Sequence, residues 1–573
     1  MAKAKTPTPP QAAGTHGQAR DYPFTRSLRI IAQDPAVRPG GRILTTTIDV
    51  PAEELAPGPC GYRVNVIDFD SNTGALYEPA TYRATATGKL LDPFTDASDA
   101  TLLGDPRFHA QNSYAIAMKT LARFEFALGR RVRWGSDGHQ LYVAPHAFTD
   151  ANAFYSKEDR GLFFGYFPDP QGRQVFTCLS HDIVAHETTH ALLDGLRSRY
   201  MEASSPQQAA FHEGFADIVA LLSVFALEDV VAALLKPRSR DKGKLIAAKH
   251  LTAPRLKRSV LFGLALEMGQ AMAEVRGEAL RRSITKNARR SLAGVTEEHD
   301  LGEYLVAGML NAFLAIWVSR LNKIGTVRRG LKDLSLVVEQ GAQVANHLLT
   351  MAIRALDYCP PTDIDFSDFL SALLTIDHEV VPDDSRFGYR KALLDNFARY
   401  GIRPSRSADP GGIWQRCLGE LKYSRTHFDS MLRDKEEVFR FVWENREALE
   451  ISDKGYVEVQ SVSPSHRIGP DGFVLRETIA EYVQIMTLRA DELGTLKIRK
   501  PRGMPDWKRV RLFGGGALVF DEYGRLKYQI RNRIENARRQ TARLKFLWET
   551  GFFDEQKSDV APFALAHRRR AGS

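Results

Sequence analysis

The segment that decides the fold and the chemistry of this chain reads HETTH (186–190). It lies within SHDIVAHETTHALLDGL (180–196), whose apolar spacing predicts an α-helix. Residues four apart share one face of a helix, so the imidazoles of His186 and His190 can bind a single metal ion. Zinc suits this pair because it accepts nitrogen and oxygen ligands in a tetrahedron. Glu187 is rotated about 100° from His186 around the helix, which places it beside a metal-bound water rather than on the metal.

The next predicted helix carries two carboxylates at a matching spacing. It contains FHEGFAD (211–217), in which Glu213 and Asp217 are again four residues apart. A site with two histidines needs a third ligand and an acceptor for a histidine ring N–H, and one carboxylate can fill each role. Two other interpretations are open: the histidines are polar residues inside an amphipathic helix, or the carboxylates form a salt bridge with Arg197 or Arg199. The two helices together favour one bound zinc ion per chain.

The two motifs together resemble those of a known family. HETTH followed by EGFAD is similar to the thermolysin-like gluzincins, zinc metallopeptidases with an HExxH helix and an ExxxD helix. The resemblance implies an α+β fold with two lobes, the first rich in strands and the second helical. It also implies a role for each residue of the two motifs: zinc ligands His186, His190 and Glu213, general base Glu187, and Asp217 as the acceptor that orients His186.

The resemblance extends to candidate site residues outside the two helices. Asn152 and Ala153 resemble the start of the family's substrate edge strand, where the Asn side chain and the Ala carbonyl bind the peptide backbone. Arg281 resembles the arginine that binds the substrate carbonyl just past the scissile bond. His299 and Tyr200 resemble the residues that stabilise the tetrahedral oxyanion.

Some features depart from the family pattern. The spacing from His190 to Glu213 is a few residues longer than in thermolysin. Asp182 matches one calcium ligand of the family, but the acidic cluster around it is absent, so we do not predict calcium. The usual secretion signal and inhibitory propeptide are also missing, which suggests an intracellular branch of the family.

The composition describes a globular chain that is too long for one compact core. It has 573 residues, of which 43% are hydrophobic and 26% charged, values that exclude wholesale disorder. No apolar run approaches the ~20 residues that span a bilayer, so no membrane span is predicted. The first residues lack the apolar core of a secretory signal, and the four cysteines form no CxxC pair. Both features predict a cytoplasmic protein.

Changes in periodicity divide the chain into five predicted parts. β-type runs come first, helical periodicity follows, and strands return near the C-terminus. The parts are a flexible N-terminal arm (1–42), an N-terminal α+β lobe with the substrate edge strand (43–180), a helical lobe with the zinc site (181–405), a helical extension (406–455), and a C-terminal module of strands and a helix (456–573).

The C-terminal module carries the positive charge of the chain. Residues 491–573 contain 19 Lys and Arg against 10 Asp and Glu, which equals the net charge of +9 for the whole chain. If this module is separate from the rest of the chain, truncation after about Ile451 would leave a soluble, zinc-loaded catalytic portion. The module could bind a protein partner, help to dock a protein substrate, or present a plain solvated surface. Nucleic acid is a less favoured ligand, because no DNA- or RNA-binding signature is present.

The function predicted from these features is a zinc-dependent endopeptidase that acts on protein or peptide substrates. The alternative comes from a different class: a non-catalytic protein in which zinc only stabilises the fold and the basic module binds nucleic acid or an acidic partner. Glu187 favours the enzyme, because a structural zinc site needs no base beside the metal.

Overall fold

A computed structural model describes the chain over most of its length, and its helices and strands confirm the α+β class. The predicted site residue Arg281 lies outside the described residues. These are 24–83, 85, 91–136, 138–202, 204–235, 244–258, 292, 298–328 (backbone only for 298–300), 330–385, 387–417, 419–469 and 472–553.

The N-terminal lobe is built from small sheets on a long helix. Its largest sheet has the order β3-β6-β8-β7, with β9 also paired to β8, and β7 lies at its edge. The strands are β1 (Thr25–Ile31), β2 (Thr45–Pro51), β3 (Val64–Val66), β4 (Phe69–Asp70), β5 (Ala75–Leu76), β6 (Leu141–Thr149), β7 (Ala153–Ser156), β8 (Gly161–Pro168) and β9 (Gln174–Phe176).

The predicted N-terminal arm is wrong in its second half. Strand β1 pairs antiparallel with β2 along its whole length, from Thr25 opposite Pro51 to Ile31 opposite Thr45. Ile30 and Ile31 are completely buried. The composition of 1–42 hid this strand because its apolar residues are few and clustered. Residues 1–23 lie outside the described residues.

Two helices, α1 (Asp99–Gly104) and α2 (Pro106–Leu128), support this lobe. The side chain of Asp105 caps α2 by accepting a hydrogen bond from the Arg107 amide, and Pro106 fits the first helical position. Gly129 ends α2 in the left-handed conformation, which glycine adopts without steric cost. Most residues of α2 are buried, because this helix lies in the interior of the N-terminal lobe.

The helical lobe follows, and its central contact is between two helices that touch at glycine. A Cβ atom on Gly214 would lie 2.9 Å from the carbonyl oxygen of Gly302, so the two backbones meet without side chains between them. The helices are α3 (His181–Leu196), α4 (Pro206–Phe225), α5 (Glu228–Leu234), α6 (Glu298–Lys323), α7 (Leu334–Ala355), α8 (Phe366–Val380) and α9 (Tyr389–Ala398), and β10 (Leu245–Ala247) pairs with β11 (Leu331–Asp333). Gly214 stands on α4 and Gly302 on α6.

One stretch of α6, Leu301–Lys323, is long and apolar enough to cross a bilayer, and 83% of its apolar window is buried inside the fold. A core helix of a globular domain meets the same criteria, so the stretch is weak evidence for a membrane span.

The C-terminal part is an antiparallel sheet in the simple order β12-β13-β14-β15, flanked by helices. The strands β14 and β15 pair antiparallel. The side chains of Val438 and Phe441 pack with Val457 and Leu518 in one apolar cluster, so the predicted helical extension and the sheet share a core. The elements are α10 (Phe428–Met431), α11 (Lys435–Glu444), β12 (Tyr456–Ile468), β13 (Val474–Arg489), β14 (Arg509–Phe520), β15 (Leu526–Asn532) and α12 (Ala537–Glu549).

This sheet is joined to the rest of the molecule by buried ion pairs. Arg467 on β12 is fully buried and pairs with Asp357 and Glu477. Arg130, just after α2, binds Asp357 with two hydrogen bonds of 2.7 Å. Burial alone would raise the pKa of Asp357, but the neighbouring arginines outweigh it and lower the pKa to about 2. Glu477 also accepts hydrogen bonds from the Tyr358 hydroxyl at 2.7 and 2.8 Å.

The backbone makes contacts across the same boundary. A Cβ atom on Gly129 would lie 2.2 Å from the carbonyl oxygen of His466, so only glycine allows β12 to pass this close to the end of α2. The amide of His466 donates to the carbonyl of Gly129 at 3.1 Å. Leu475 and Ile479 of β13 belong to the main hydrophobic core. The C-terminal sheet therefore shares its core and its buried ion pairs with the rest of the described chain.

Part of the module's positive charge is paired with acidic residues of the helical lobe. Lys527 contacts Glu379 on α8, and also Glu477 of the module's own strand β13. Arg539 on α12 contacts Asp365 at 2.9 Å and Asp368 at 3.2 Å, at the start of α8. The charge segregation in the sequence thus reflects, in part, docking within the chain.

We expect truncation after Ile451 to give an insoluble or unfolded chain, because it removes the partners of buried Asp357 and Tyr358 and uncovers part of the main core. Size-exclusion chromatography and circular dichroism of the truncated chain test this. A chain that ends at Phe553 keeps all of these contacts and serves as the control. A folded, soluble chain ending at Ile451 would contradict the prediction.

We expect Arg130→Gln to lower the free energy of unfolding at pH 7 by about 2 kcal/mol, less than the ~3–5 kcal/mol for breaking a fully buried pair, because Asp357 keeps Arg467. Arg131→Gln is the matched control: this arginine is 72% exposed in its pair with Glu125, and its loss should cost under about 0.5 kcal/mol.

The effect of Arg130→Gln should depend on pH. The pKa of Asp357 is depressed in the folded chain, so its contribution is complete above the ordinary value of 3.8 and is lost as the pH falls toward 2. Urea unfolding of both proteins from pH 6 to about pH 2 measures this. A difference between them that stays constant over the whole range would show that Asp357 is not the group involved.

Candidate metal centre

The candidate metal centre is formed where α3 crosses α4. The five residues of HETTH are all buried in the middle of α3. Thr188 and Thr189 satisfy their hydroxyls on the helix itself, by donating to the carbonyls of Val184 and Ala185 at 2.6 and 2.7 Å. The threonine hydroxyls therefore need no partner outside α3. The histidine side chains of the same helix face α4.

The predicted ligands converge on one point. The Nε2 atoms of His186 and His190 are 2.8 Å apart. The Glu213 carboxylate oxygens lie 3.6 Å from His186 Nε2 and 3.7 Å from His190 Nε2. Ligands of a tetrahedral zinc ion, with bonds of about 2.0–2.2 Å, are about 3.4 Å apart. The donor set and its spacing thus fit zinc, with small adjustments of the two rings.

Asp217 contacts the Nδ1 side of the His186 ring, as the family resemblance implied. One carboxylate oxygen lies 2.8 Å from His186 Nδ1, so the second ring nitrogen is left to face His190 and Glu213. Burial lowers the pKa of His186, but the carboxylates of Asp217, Glu213 and Glu187 outweigh burial and raise the pKa to about 10. The Asp217 side chain is 43% exposed, so the centre has a side that faces solvent.

Glu187 lies beside the ligands and contacts the edge strand. It is 1% exposed, and its Oε2 accepts a hydrogen bond from the Tyr155 amide at 3.1 Å. One carboxylate oxygen of Glu187 lies within 4.8 Å of ligand atoms of His186 and His190. The carboxylate is therefore oriented by β7 next to the point where a metal-bound water would stand.

Strand β7 is anchored to α3 by a second set of contacts. The Tyr155 hydroxyl donates to Asp194 at 2.9 Å, and Lys157 pairs with the other oxygen of Asp194 at 2.8 Å. Asp194 is buried near the end of α3, and burial raises its pKa. These contacts fix the distance between the edge strand and the HETTH face.

The predicted substrate residues lie at this edge. Within the described part of the chain, β7 pairs with β8 and with no other strand, so the prediction of an edge strand is confirmed. Asn152 precedes the strand, and its Oδ1 accepts from the Ala153 amide at 2.9 Å. The binding of substrate by Asn152 and Ala153 stays a prediction.

Tyr200 does not have the catalytic placement that the sequence predicted. Its hydroxyl donates to the carbonyl of Pro360 at 2.6 Å, and the residue is 1% exposed. Its ring packs edge-on against Phe211. These contacts correct the prediction: Tyr200 is a packing residue that joins the end of α3 to the segment after α7.

The two remaining site predictions fall partly or wholly outside the described residues. His299 lies in the first turn of α6, but its side chain is outside them, as is all of Arg281. The arginines of the salt-bridge alternative have other partners: Arg197 pairs with Glu481, and Arg199 with Glu202. That alternative therefore loses support.

Sequence patterns did not identify three residues that contact the ligands or position the edge strand. His212, next to Glu213 on α4, stacks on His190 with ring centroids 4.7 Å apart. Tyr155 and Asp194 connect β7 to α3, as described above. The only signal for them was local: Tyr155 follows the Asn-Ala-Phe of the edge strand, and Asp194 stands four residues after His190.

No protein-family model matches the chain, and no curated protein matches it significantly.

We expect Asp217→Asn to weaken zinc binding by about 10–100-fold, because an amide holds the His186 imidazole less well than a carboxylate. Competition with a chromogenic chelator measures the affinity. The control is Asp229→Asn, on the exposed face of α5. Equal zinc affinity of the Asp217→Asn and Asp229→Asn proteins would contradict a role for Asp217 at the metal.

Proposed function

We propose that the chain is a zinc-dependent endopeptidase of the thermolysin-like gluzincin type. The observation that carries the proposal is the convergence of His186, His190 and Glu213 with Glu187 beside them. A purely structural site would have no use for a buried carboxylate next to the ligands, positioned by a strand amide.

The chemistry follows from the positions of the side chains. A zinc ion held by His186, His190 and Glu213 supplies Lewis-acid activation of a water molecule and of the substrate carbonyl. Glu187 is the general base that accepts the proton of the attacking water and later transfers it to the leaving amine. The amide of Tyr155 keeps the Glu187 carboxylate turned toward that water.

The edge strand supports a peptide as the substrate. An extended peptide can pair with the open edge of β7 through main-chain hydrogen bonds. This places its backbone next to Glu187, because β7 itself contacts Glu187 through Tyr155. Asn152 would bind the peptide by rotating away from its own strand, and His299 remains the proposed oxyanion donor.

The described fold supports the two-lobed arrangement of that family. The substrate strand belongs to the N-terminal sheet, the zinc ligands belong to α3 and α4 of the helical lobe, and the two meet at Glu187. The C-terminal sheet is an addition that docks behind the helical lobe and at the end of α2.

We expect Glu187→Gln to abolish cleavage of an unstructured protein such as casein while keeping zinc and fold, because an amide cannot accept the proton. Activity, zinc content and the unfolding midpoint are measured on the same preparation. Glu202→Gln, at a partly exposed glutamate that pairs with Arg199, is the matched control and should cleave at the parental rate.

If Glu187→Gln and the parent both cleave casein at the same rate, the mechanism is wrong. If the parent is zinc-loaded but inactive on casein and on a peptide library, the non-catalytic alternative is supported instead.

A further inference from the structure

A second group of potential metal ligands lies in the N-terminal lobe, apart from the HETTH helix. It consists of His109 on α2, His146 on β6 and Cys178 in the turn before α3, and all three are completely or almost completely buried. One ligand atom from each lies within 4.8 Å of the others.

The outward-facing nitrogen of each histidine has an acceptor. His109 Nε2 is 3.0 Å from the carbonyl oxygen of Leu103, which can only accept, so this nitrogen carries a proton. His146 Nδ1 lies 2.8 and 2.9 Å from the two oxygens of Asp68 and donates to that carboxylate. A histidine that binds a metal usually donates its other N–H to a carboxylate or a carbonyl in this way.

The two ring nitrogens that face each other would then repel. His109 Nδ1 and His146 Nε2 are 2.8 Å apart. If both rings are neutral, each presents a lone pair to the other, because the proton of each ring is used on its outer side. Something positively charged has to lie between them: either a shared proton or a metal ion.

The third member of the group favours the metal. Cys178 is fully buried, and its sulfur lies within 4.8 Å of one ring nitrogen of each histidine, although a shared proton would need no sulfur there. Two imidazole nitrogens and one thiolate are a donor set that zinc prefers. The charges also balance in this buried place, since the Asp68 carboxylate and a Cys178 thiolate offset the two charges of the ion.

We propose that His109, His146 and Cys178 bind a second zinc ion, with Asp68 as the carboxylate that positions His146. Binding displaces the thiol proton of Cys178 and the proton held between the imidazoles, and both pass to solvent. The site joins α2, β6 and the turn that leads directly into α3, so its zinc fixes the base of the helix that carries HETTH.

The test uses the full chain and counts metal by mass spectrometry of the element. We expect about two zinc ions in the parent and about one in Cys178→Ala, with the HETTH zinc retained. His186→Ala should also fall to about one, by losing the other ion. Cys359→Ala is the matched control, because Cys359 is equally buried and its thiol donates to the Ala355 carbonyl at 3.2 Å; its zinc content should equal that of the parent.

A spectroscopic readout separates the two sites even if a variant fails to fold. After replacement of zinc by Co²⁺, only a site with a thiolate ligand gives sulfur-to-cobalt charge-transfer absorption. We expect this absorption in the parent and in His186→Ala, and not in Cys178→Ala. A cobalt-loaded parent without it, or a Cys178→Ala protein that keeps it, would overturn the second site.

Discussion

The fold depends on pairing ionisable groups that it buries, and the crossing of α3 and α4 is where this requirement is strictest. His186, Glu187, His190 and Glu213 are each at most 3% exposed, in helices whose other buried residues are mostly apolar. Carboxylates in such a place are costly without a compensating positive charge. A bound cation would provide it, and the partly exposed Asp217 leaves one side of the site open to water. The direct backbone contact between α4 and α6 at Gly214 keeps the carboxylates of α4 at this depth.

The same requirement explains how the C-terminal sheet is attached. Arg467 could not be buried without Asp357 and Glu477, and Asp357 in turn needs Arg130 at the end of α2. Buried ion pairs add little net stability compared with apolar packing, but they penalise every arrangement in which one partner is left alone. They therefore select one docked position for the sheet. Arg197, at the end of α3, pairs with Glu481 of β13, so this position is also coupled to the helix that carries HETTH.

Local patterns predicted the parts of the structure that depend on local spacing. The i, i+4 pairs of side chains on α3 and α4 follow from helix periodicity, whereas the Asp217–His186 contact and the edge position of β7 were expectations from the family resemblance. The other features of the site depend on contacts between residues that are far apart in the sequence. Nothing near Tyr200 indicates that Pro360 accepts its hydroxyl, and His109 and His146 are 37 residues apart in unrelated elements. Strand β1 was missed because a short apolar run in a Pro- and Gly-rich segment carries little periodic signal.

The positive charge of the C-terminal residues shows why net charge is a poor guide to partners. The carboxylates of Asp365 and Asp368, at the start of α8, interact favourably with the helix dipole. The same carboxylates pair with Arg539 when α12 docks. Opposite charges on two parts of one chain thus attract each other, and the excess seen in either part alone overstates what is left for a partner. A role in recruiting a substrate or a partner has to rest on side chains that docking leaves exposed, such as Trp507 at 68% and Tyr523 at 72%. Such side chains, rather than the total of +9, are where a binding surface of this module should be sought.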